Sequence, residues 1–358
     1  MAATTHTKFN ANTEGLDVAK EFASGIHGKT VLVTGVNRGG IGFSTSQALA
    51  SQSPAHLIIA GRSPSKIQEC IEALQAEFPD VDYRGLHVDL STQQSVRDAA
   101  AEVMAWTDVP MIDIVINSAG VMGIQERTLT SDGIEMHFAT NHLGHWLLTC
   151  LIMPKLIKAA EYNPKGATRV VSVSSASPTV SAMRWSDINF DRKNSDIPKE
   201  EQPDQEWLQA WGYRDLGNQS YIPLDGYDRS KVANVLSGIG ANKRLFNKYG
   251  ILSLAVHPGI IGTELGRNFP PETLEAVKVM NEQGIFTRKT LGAGASTSMV
   301  AALDPNLAEG VGNDKMNWGS YLEDCQISNQ ARPLAVSSEE AEKLWELSEK
   351  LVGQTFSW

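Results

Sequence analysis

The chain has 358 residues, 42% hydrophobic and 20% charged, with 30 glycines and 15 prolines, which excludes a collagen-like or wholly disordered polymer and leaves apolar surface for a large core. Its 31 basic against 41 acidic side chains give a formal charge of −10, a field that repels phosphate backbones and speaks against a nucleic-acid partner. Three scattered cysteines, Cys70, Cys150 and Cys325, make neither a disulfide framework nor a zinc signature; with a polar N-terminus and no apolar run of membrane-spanning length, they point to a cytoplasmic protein without a membrane span.

In chain order, short runs rich in β-branched residues predict strands at 30–34, 57–60, 85–88, 112–117, 169–174 and 251–256. They are nearly continuous apolar runs, as suits a parallel sheet covered on both faces. Helical spacing occupies 41–51, 66–78 and 93–106, with Ser91 as N-cap of the third. The alternation predicts an α/β fold, a single Rossmann-type doubly wound parallel sheet with helices on both faces. A polar lead, 1–27, precedes the domain at 28–330, and a C-terminal helix within 331–358, capped by Ser338, packs on the same domain. Trp345 and Trp358 of that terminal region either cover the core or meet another subunit. Two segments break the rhythm. An insertion at 177–226, holding Trp185, Trp207, Trp211, Tyr213 and Tyr221, either decorates the surface or lids a ligand site, and 263–291 reads as a substrate-binding segment.

The first strand runs into Gly35, Val36, Asn37, Arg38, Gly39, Gly40, Ile41 and Gly42 and then a helix, a turn in which backbone N–H groups and a helix N-terminus can approach a pyrophosphate. The second strand ends at Arg62 with no carboxylate to accept hydrogen bonds from an adenosine ribose. Arg62 with Arg38 would instead cradle a 2′-phosphate, which makes NADP(H) the expected cofactor. Further on, Tyr227 and Lys231 lie four residues apart, on one face of a helix. A lysine cation beside a phenol favours the phenolate, bringing proton exchange with a substrate oxygen within reach of neutral pH.

With these motifs in order, the chain resembles the short-chain dehydrogenase/reductase family from about residue 28 to 321. The resemblance implies a catalytic tetrad of Asn141, Ser175, Tyr227 and Lys231, with Tyr227 as general acid or base and Ser175 on the substrate oxygen. Lys231 would hold the nicotinamide ribose, and Asn141 a water joining Lys231 to solvent. It further places Asp89 and Leu90 at adenine, Asn117, Ala119 and Gly120 along the cofactor, and Pro258, Gly259, Ile261 and Thr263 at the nicotinamide end. Residues 141–145, 257–259 and 319–325 look like the retinol dehydrogenase, WW-domain oxidoreductase and protochlorophyllide reductase branch, which handles lipophilic carbonyls and alcohols. A dimer or tetramer through the helices carrying Asn141 and Tyr227 is also implied. Gly35 and Gly40 enclose four residues where the family has three, so either Gly39 or Gly40 takes the phosphate-contacting role.

The expected activity is NADP(H)-dependent reduction of a lipophilic ketone or aldehyde, or oxidation of the alcohol. Two other classes compete: a catalytically silent NADP(H)-binding sensor or interaction protein, and a reductase of carbon–carbon double bonds. His137, His142 and His145 have no accompanying carboxylate or cysteine cluster and read as packing residues rather than metal ligands, and Cys325 reads as a buried small side chain.

Overall fold

The computed structural model describes residues 3–310 and 316–358. The lead folds into α1 (Gly15–Glu21), and β1 (Thr30–Thr34), α2 (Ile41–Ala50), β2 (His56–Gly61), α3 (Pro64–Glu77), β3 (Asp82–His87), α4 (Gln93–Ala105) and β4 (Ile114–Asn117) then alternate. A π-helical turn, Phe138–Leu143, leads into α5 (Gly144–Ala160) and β5 (Thr168–Val173). The insertion contributes α6 (Gln205–Ala210), after which come α7 (Pro223–Tyr249), β6 (Ile251–His257), β7 (Ile260–Ile261), α8 (Pro271–Glu282), β8 (Arg288–Lys289) and α9 (Leu291–Leu303). The order ends with β9 (Tyr321–Glu323), β10 (Gln326–Ile327) and α10 (Ser338–Val352).

Eight strands form one sheet in the order β10-β9-β6-β5-β4-β1-β2-β3, parallel except where β10 turns back on β9. β1, β5 and β6 are buried along their whole length because helices cover both faces. One core joins the sheet to α4, α5, α7 and α10, and a second joins its other face to α1, α2, α3 and α9. The chain leaves β1 for β2 on one side and returns to β4 on the other, and that reversal opens a crevice at the C-terminal strand ends.

The boundaries shift where packing overrides local pattern. β3 starts at Asp82 rather than 85, since an edge strand tolerates the exposed side chains that hid it. Ser91 does not cap α4; its hydroxyl donates to Asp89 Oδ1 at 2.7 Å, and Thr92 holds the N-cap position. The cap of α10 is Ser337, which accepts from Glu339 and Glu340 N–H, while Ser338 is the first helical residue. The insertion ends early, because Pro223 at the first position of α7 draws 223–226 into that helix. Nor is the lead a loose tail: Val18 and Ala19 are fully buried, and Thr5 donates through its N–H and its hydroxyl to Asp304 at 2.7 and 2.5 Å.

α10 lies across α5 and α7. Trp345, 3% exposed, meets Trp146 of α5 edge-on with ring centroids 5.2 Å apart, and Phe356 and Trp358 extend the cluster. Trp345 therefore covers the core, and the face through which the resemblance implied a dimer is occupied by the chain's own C-terminal helix.

Candidate active site

The crevice is a cleft of about 2420 Å³, counting the space open to solvent. Its first wall is made mostly of backbone. Gly35 has φ +71, and a Cβ there would lie 2.4 Å from Ala119 Cα, so only glycine lets the first turn close against the end of β4. Asn37 Nδ2 donates to the Gly35 carbonyl at 3.2 Å and the Gly40 N–H to the Asn37 carbonyl at 3.0 Å, setting the turn that opens α2. Gly40 is the N-cap and supplies no side chain, leaving the helix end approachable by an anion. Gly35, Asn37, Gly40, Ile41 and Gly42 line the cleft, and so do Arg62, Asp89, Leu90, Ala119 and Gly120.

Two predicted contacts do not reach this wall. Arg38 lies over the Phe43 ring, 5.0 Å from its centroid, and Ser63 and Lys66 stand beside Arg62 instead. The cations facing the second strand end are thus Arg62 and Lys66, the latter 3.5 Å from the Glu264 carboxylate. Asn117 points the other way, donating to Thr149 Oγ1 at 3.3 Å on the far side of the sheet.

The floor carries the chemistry. Tyr227, Lys231, Ser174 and Ser175 meet at the ends of β5 and α7 and line the cleft together. Ser174 turns its hydroxyl inward to the Lys231 carbonyl at 2.7 Å, while Tyr321 on β9 donates to the Ser175 carbonyl at 2.7 Å, so the second serine is the one presented. Lys231 Nζ donates to the Val173 carbonyl at 2.8 Å and stands 5.5 Å from the centroid of the Tyr227 ring. Burial pushes Lys231 down to about 7. Burial also drives the Tyr227 phenol well above its ordinary range, the Asp228 carboxylate adds to this, and a hydrogen bond with Ser175 offsets part of it. Burial of both groups works against the charged forms, the phenolate of Tyr227 and the ammonium of Lys231.

Asn141 stands behind the wall. Its Oδ1 accepts from the Val121 N–H at 2.8 Å, and its Nδ2 donates to the Val121 carbonyl at 3.0 Å and to Ser230 Oγ at 2.9 Å. Ser230 in turn donates to the Tyr227 carbonyl at 2.6 Å. Asn141 thus ties the strand-end loop to the turn of α7 that carries the phenol, and its place on a π-helical turn, a form often found at functional sites, was invisible in the sequence. His145 is a packing residue with a defined tautomer. Thr34 Oγ1 accepts from Ser118 and Ala119 N–H, both at 3.0 Å, so it must donate to His145 Nε2 at 2.8 Å. His145 Nδ1–H then donates to the Asn141 carbonyl at 3.0 Å, and burial pushes the ring down to about 4.

The second wall is made of side chains. Trp207, Trp211, Leu224, Leu265, Arg267 and Met122 face the cleft, and Pro258, Gly259, Ile261 and Thr263 close it beneath. The aromatic residues of the insertion divide between the cleft and the body. Trp207 and Trp211 line the cleft, whereas Trp185 donates to Glu340 at 2.5 Å, Tyr221 donates to the Ile124 carbonyl at 2.7 Å, and Tyr213 packs in the cluster beneath. Phe269, Met280 and Phe286 of the later segment pack in that same cluster. Two buried ion pairs, Arg184 on Asp187 at 2.7 Å within the insertion and Arg229 on Asp225 at 2.8 Å within α7, are joined by Arg229 donating to the Glu201 carbonyl at 2.8 Å and by Arg184 3.9 Å from Asp225, which anchors the insertion to α7. A buried pair of this kind is costly to break and fixes one geometry.

The residues fit NADP(H): a glycine turn at the switch point, cations at the adenosine end, and no acid on the β2 end. A profile described as short chain dehydrogenase matches residues 29–186. Oxidoreductase fscI of Fusarium equiseti is 38% identical over 251 residues, covering 70% of this chain and 94% of that protein. Human retinol dehydrogenase 14 is 32% identical, with 92% and 87% covered, and the chloroplastic short-chain dehydrogenase TIC 32 A of Brassica napus is 32% identical, with 90% and 88% covered. The crystal structure of NADPH-bound carbonyl reductase from chicken fatty liver superposes with TM-score 0.55 at 21% identity over 84% of this chain and 93% of that one, a likeness of fold. No helix among the described residues is long and apolar enough to cross a membrane.

Proposed function

The chain belongs to the short-chain dehydrogenase family and is an oxidoreductase, and from that premise we propose that it uses NADP(H) to reduce a lipophilic ketone or aldehyde, or to oxidise the corresponding alcohol. The observation that carries the reading is a neutral, buried Tyr227 beside Ser175, between a cationic cofactor end and a wall of tryptophans. Arg62, Ser63 and Lys66 would hold the 2′-phosphate, and the first turn of α2 the pyrophosphate. NADPH, when bound, supplies the hydride. Tyr227 O–H donates its proton to the carbonyl oxygen as charge develops there, and Ser175 Oγ–H hydrogen-bonds the same oxygen. Lys231, half-titrated near neutrality, gains charge when an anionic or hydroxyl-bearing partner meets its Nζ, which then favours release of the phenolic proton. Asn141 keeps Val121 and the Tyr227 turn in register. Trp207, Trp211 and Met122 exclude water and select an apolar substrate.

A cytoplasmic location is part of the proposal, supported by three cysteines that are free and buried, as a reducing compartment permits. The test is NADPH depletion against a panel of lipophilic carbonyls with deuterated cofactor, with Tyr227→Phe as control. Label on a carbinol carbon, and a loss of about a thousandfold or more in Tyr227→Phe, is the expected result. Label on a former alkene carbon makes the protein a double-bond reductase instead. NADPH binding without turnover across the panel makes it a sensor.

A further inference from the structure

Next to the phenol, on the cleft wall, is a carboxylate that the reaction as described leaves idle. Asp228 is 2% exposed. Its Oδ1 accepts from Ser177 Oγ at 2.5 Å and its Oδ2 from Trp207 Nε1 at 3.0 Å. Ser177 Oγ lies 2.6 Å from Ser175 Oγ, and the Ser177 N–H donates to Ser175 Oγ at 3.0 Å. A single file of hydroxyls therefore joins the carboxylate to the serine that faces the substrate oxygen.

Counting donors decides what the file does. A serine hydroxyl has one proton and two lone pairs. When Asp228 is ionised, Ser177 must donate to it, so Ser177 can only accept from Ser175. Ser175 then spends its one proton on Ser177, and with one lone pair taken by the Ser177 N–H it offers the Tyr227 hydroxyl and the substrate side only a lone pair. When Asp228 is protonated on Oδ1, it donates to Ser177, and Ser177 donates to Ser175. Both Ser175 lone pairs are then filled, and its proton is left for the cleft side, where the Tyr227 oxygen holds it until a substrate oxygen takes its place. A carbonyl oxygen needs that donor, and so does an alcohol oxygen whose own proton goes to Tyr227.

We propose that Asp228, acting through Ser177, is a positioning residue that sets whether Ser175 donates to or accepts from the substrate oxygen, and so whether the site holds its productive polarity. The inference rests on the carbonyl–alcohol chemistry proposed above. Burial, helped by the Asp225 charge, raises Asp228 to about 7, while Ser177, Trp207 and Arg229 act the other way. The charged and titratable groups around it are Asp225, Arg229 and Tyr227 on α7 and Tyr213 from the insertion. Arg229 turns its guanidinium to Asp225 at 2.8 Å, so Asp228 receives no direct ion pair from it.

The experiment follows kcat/KM for carbonyl reduction against pH. In the wild type it falls about tenfold per pH unit above the Asp228 titration. Asp228→Asn keeps the shape and locks one polarity: with its oxygen on Trp207, its NH2 donates to Ser177 as the protonated acid does. That variant loses the Asp228 inflexion, so its rate relative to wild type rises by about tenfold or more between the acidic and alkaline ends. Ser177→Ala cuts the file and also removes the inflexion, while leaving the carboxyl C=O band that appears in pH-difference infrared spectra of the unliganded wild type and disappears in Asp228→Asn. Lys231 titrates in the same range in all three proteins, so it cannot account for a difference between them. An unchanged inflexion in both variants overturns the inference. If Tyr227→Phe retains turnover, it is the reading of the activity that falls; if Tyr227→Phe is inert and Asp228→Asn keeps the inflexion, only the hydroxyl file falls.

Discussion

Along β1, β2 and β4 the cleft is lined by main chain held in a sheet, and along α6 and the segment after β6 by side chains held by one another. The first wall has its geometry set by strand register, with Thr34 level with Ala60 and Leu32 with Val115, and by glycines that admit a close approach. The second depends on Trp207, Trp211, Phe269 and Met280 packing together over α7. A phosphate end needs fixed N–H donors and tolerates little variation. A substrate end needs only apolar shape, which many residue combinations supply. The comparison teaches that the two walls are built by different means, main chain against side chain, and meet at Tyr227 and Asp228.

Four changes break or sharpen that contrast, from the largest effect to the smallest. Gly35→Ala puts a methyl into Ala119 at positive φ and is expected to cost about 4 kcal/mol or more, read as a loss of folded protein or of NADPH binding in calorimetry. If it binds NADPH normally, the first wall is not set by backbone approach.

The second change uses pH. Unfolded Asp228 titrates near 3.8 and folded near 7, so both states are protonated at acid pH. Between those values the unfolded chain releases the proton while the fold keeps it, so stability falls as pH rises through the window and the full cost remains above it. Asp228→Asn should therefore gain on wild type as pH rises from about 4 to about 7, reaching the order of 2–4 kcal/mol in urea midpoints. An equal difference at pH 5 and pH 8 would contradict it.

Arg62→Ala removes one of the two cations at the adenosine end and is expected to weaken NADPH about tenfold or more while leaving NADH unchanged. Trp207→Ala should raise KM for an apolar carbonyl several-fold with NADPH affinity unaltered, the separation that the two walls imply. Because Trp207 also donates to Asp228, Trp207→Phe, which keeps most of the apolar surface, distinguishes shape from hydrogen bonding. A loss of NADPH affinity in either variant would show that the walls are coupled.

Much of the first wall was legible. Continuous β-branched runs put β1 on its observed residues, and the order of glycine turn, tyrosine and lysine led to the floor of the cleft. The errors fall where a side chain's direction, rather than its position, matters. Arg38 stacks on Phe43 and Asn117 faces Thr149, while Lys66 reaches the cleft from the first turn of α3, because a loop or helix start rotates side chains in ways that chain order does not express. The charge state of the pair was hidden for a related reason. Spacing shows that Lys231 is near Tyr227, but not how much water both have lost.

By itself, the sequence determined the class of fold, the order of its main strands along the chain and the four-residue spacing of Tyr227 and Lys231. These follow from local periodicity and from residue types needed at short spacing, where covalent connection already fixes proximity. Only the tertiary structure decided which aromatics of the insertion face the cleft, that α10 covers the α5 and α7 face, and that Asp228 is joined to Ser175. The Ser177–Asp228 hydrogen bond spans 51 positions and the Trp345–Trp146 contact joins two helices far apart in the chain. Such contacts exist only once burial has brought the segments together, and dehydration then sets their hydrogen-bond directions and charges.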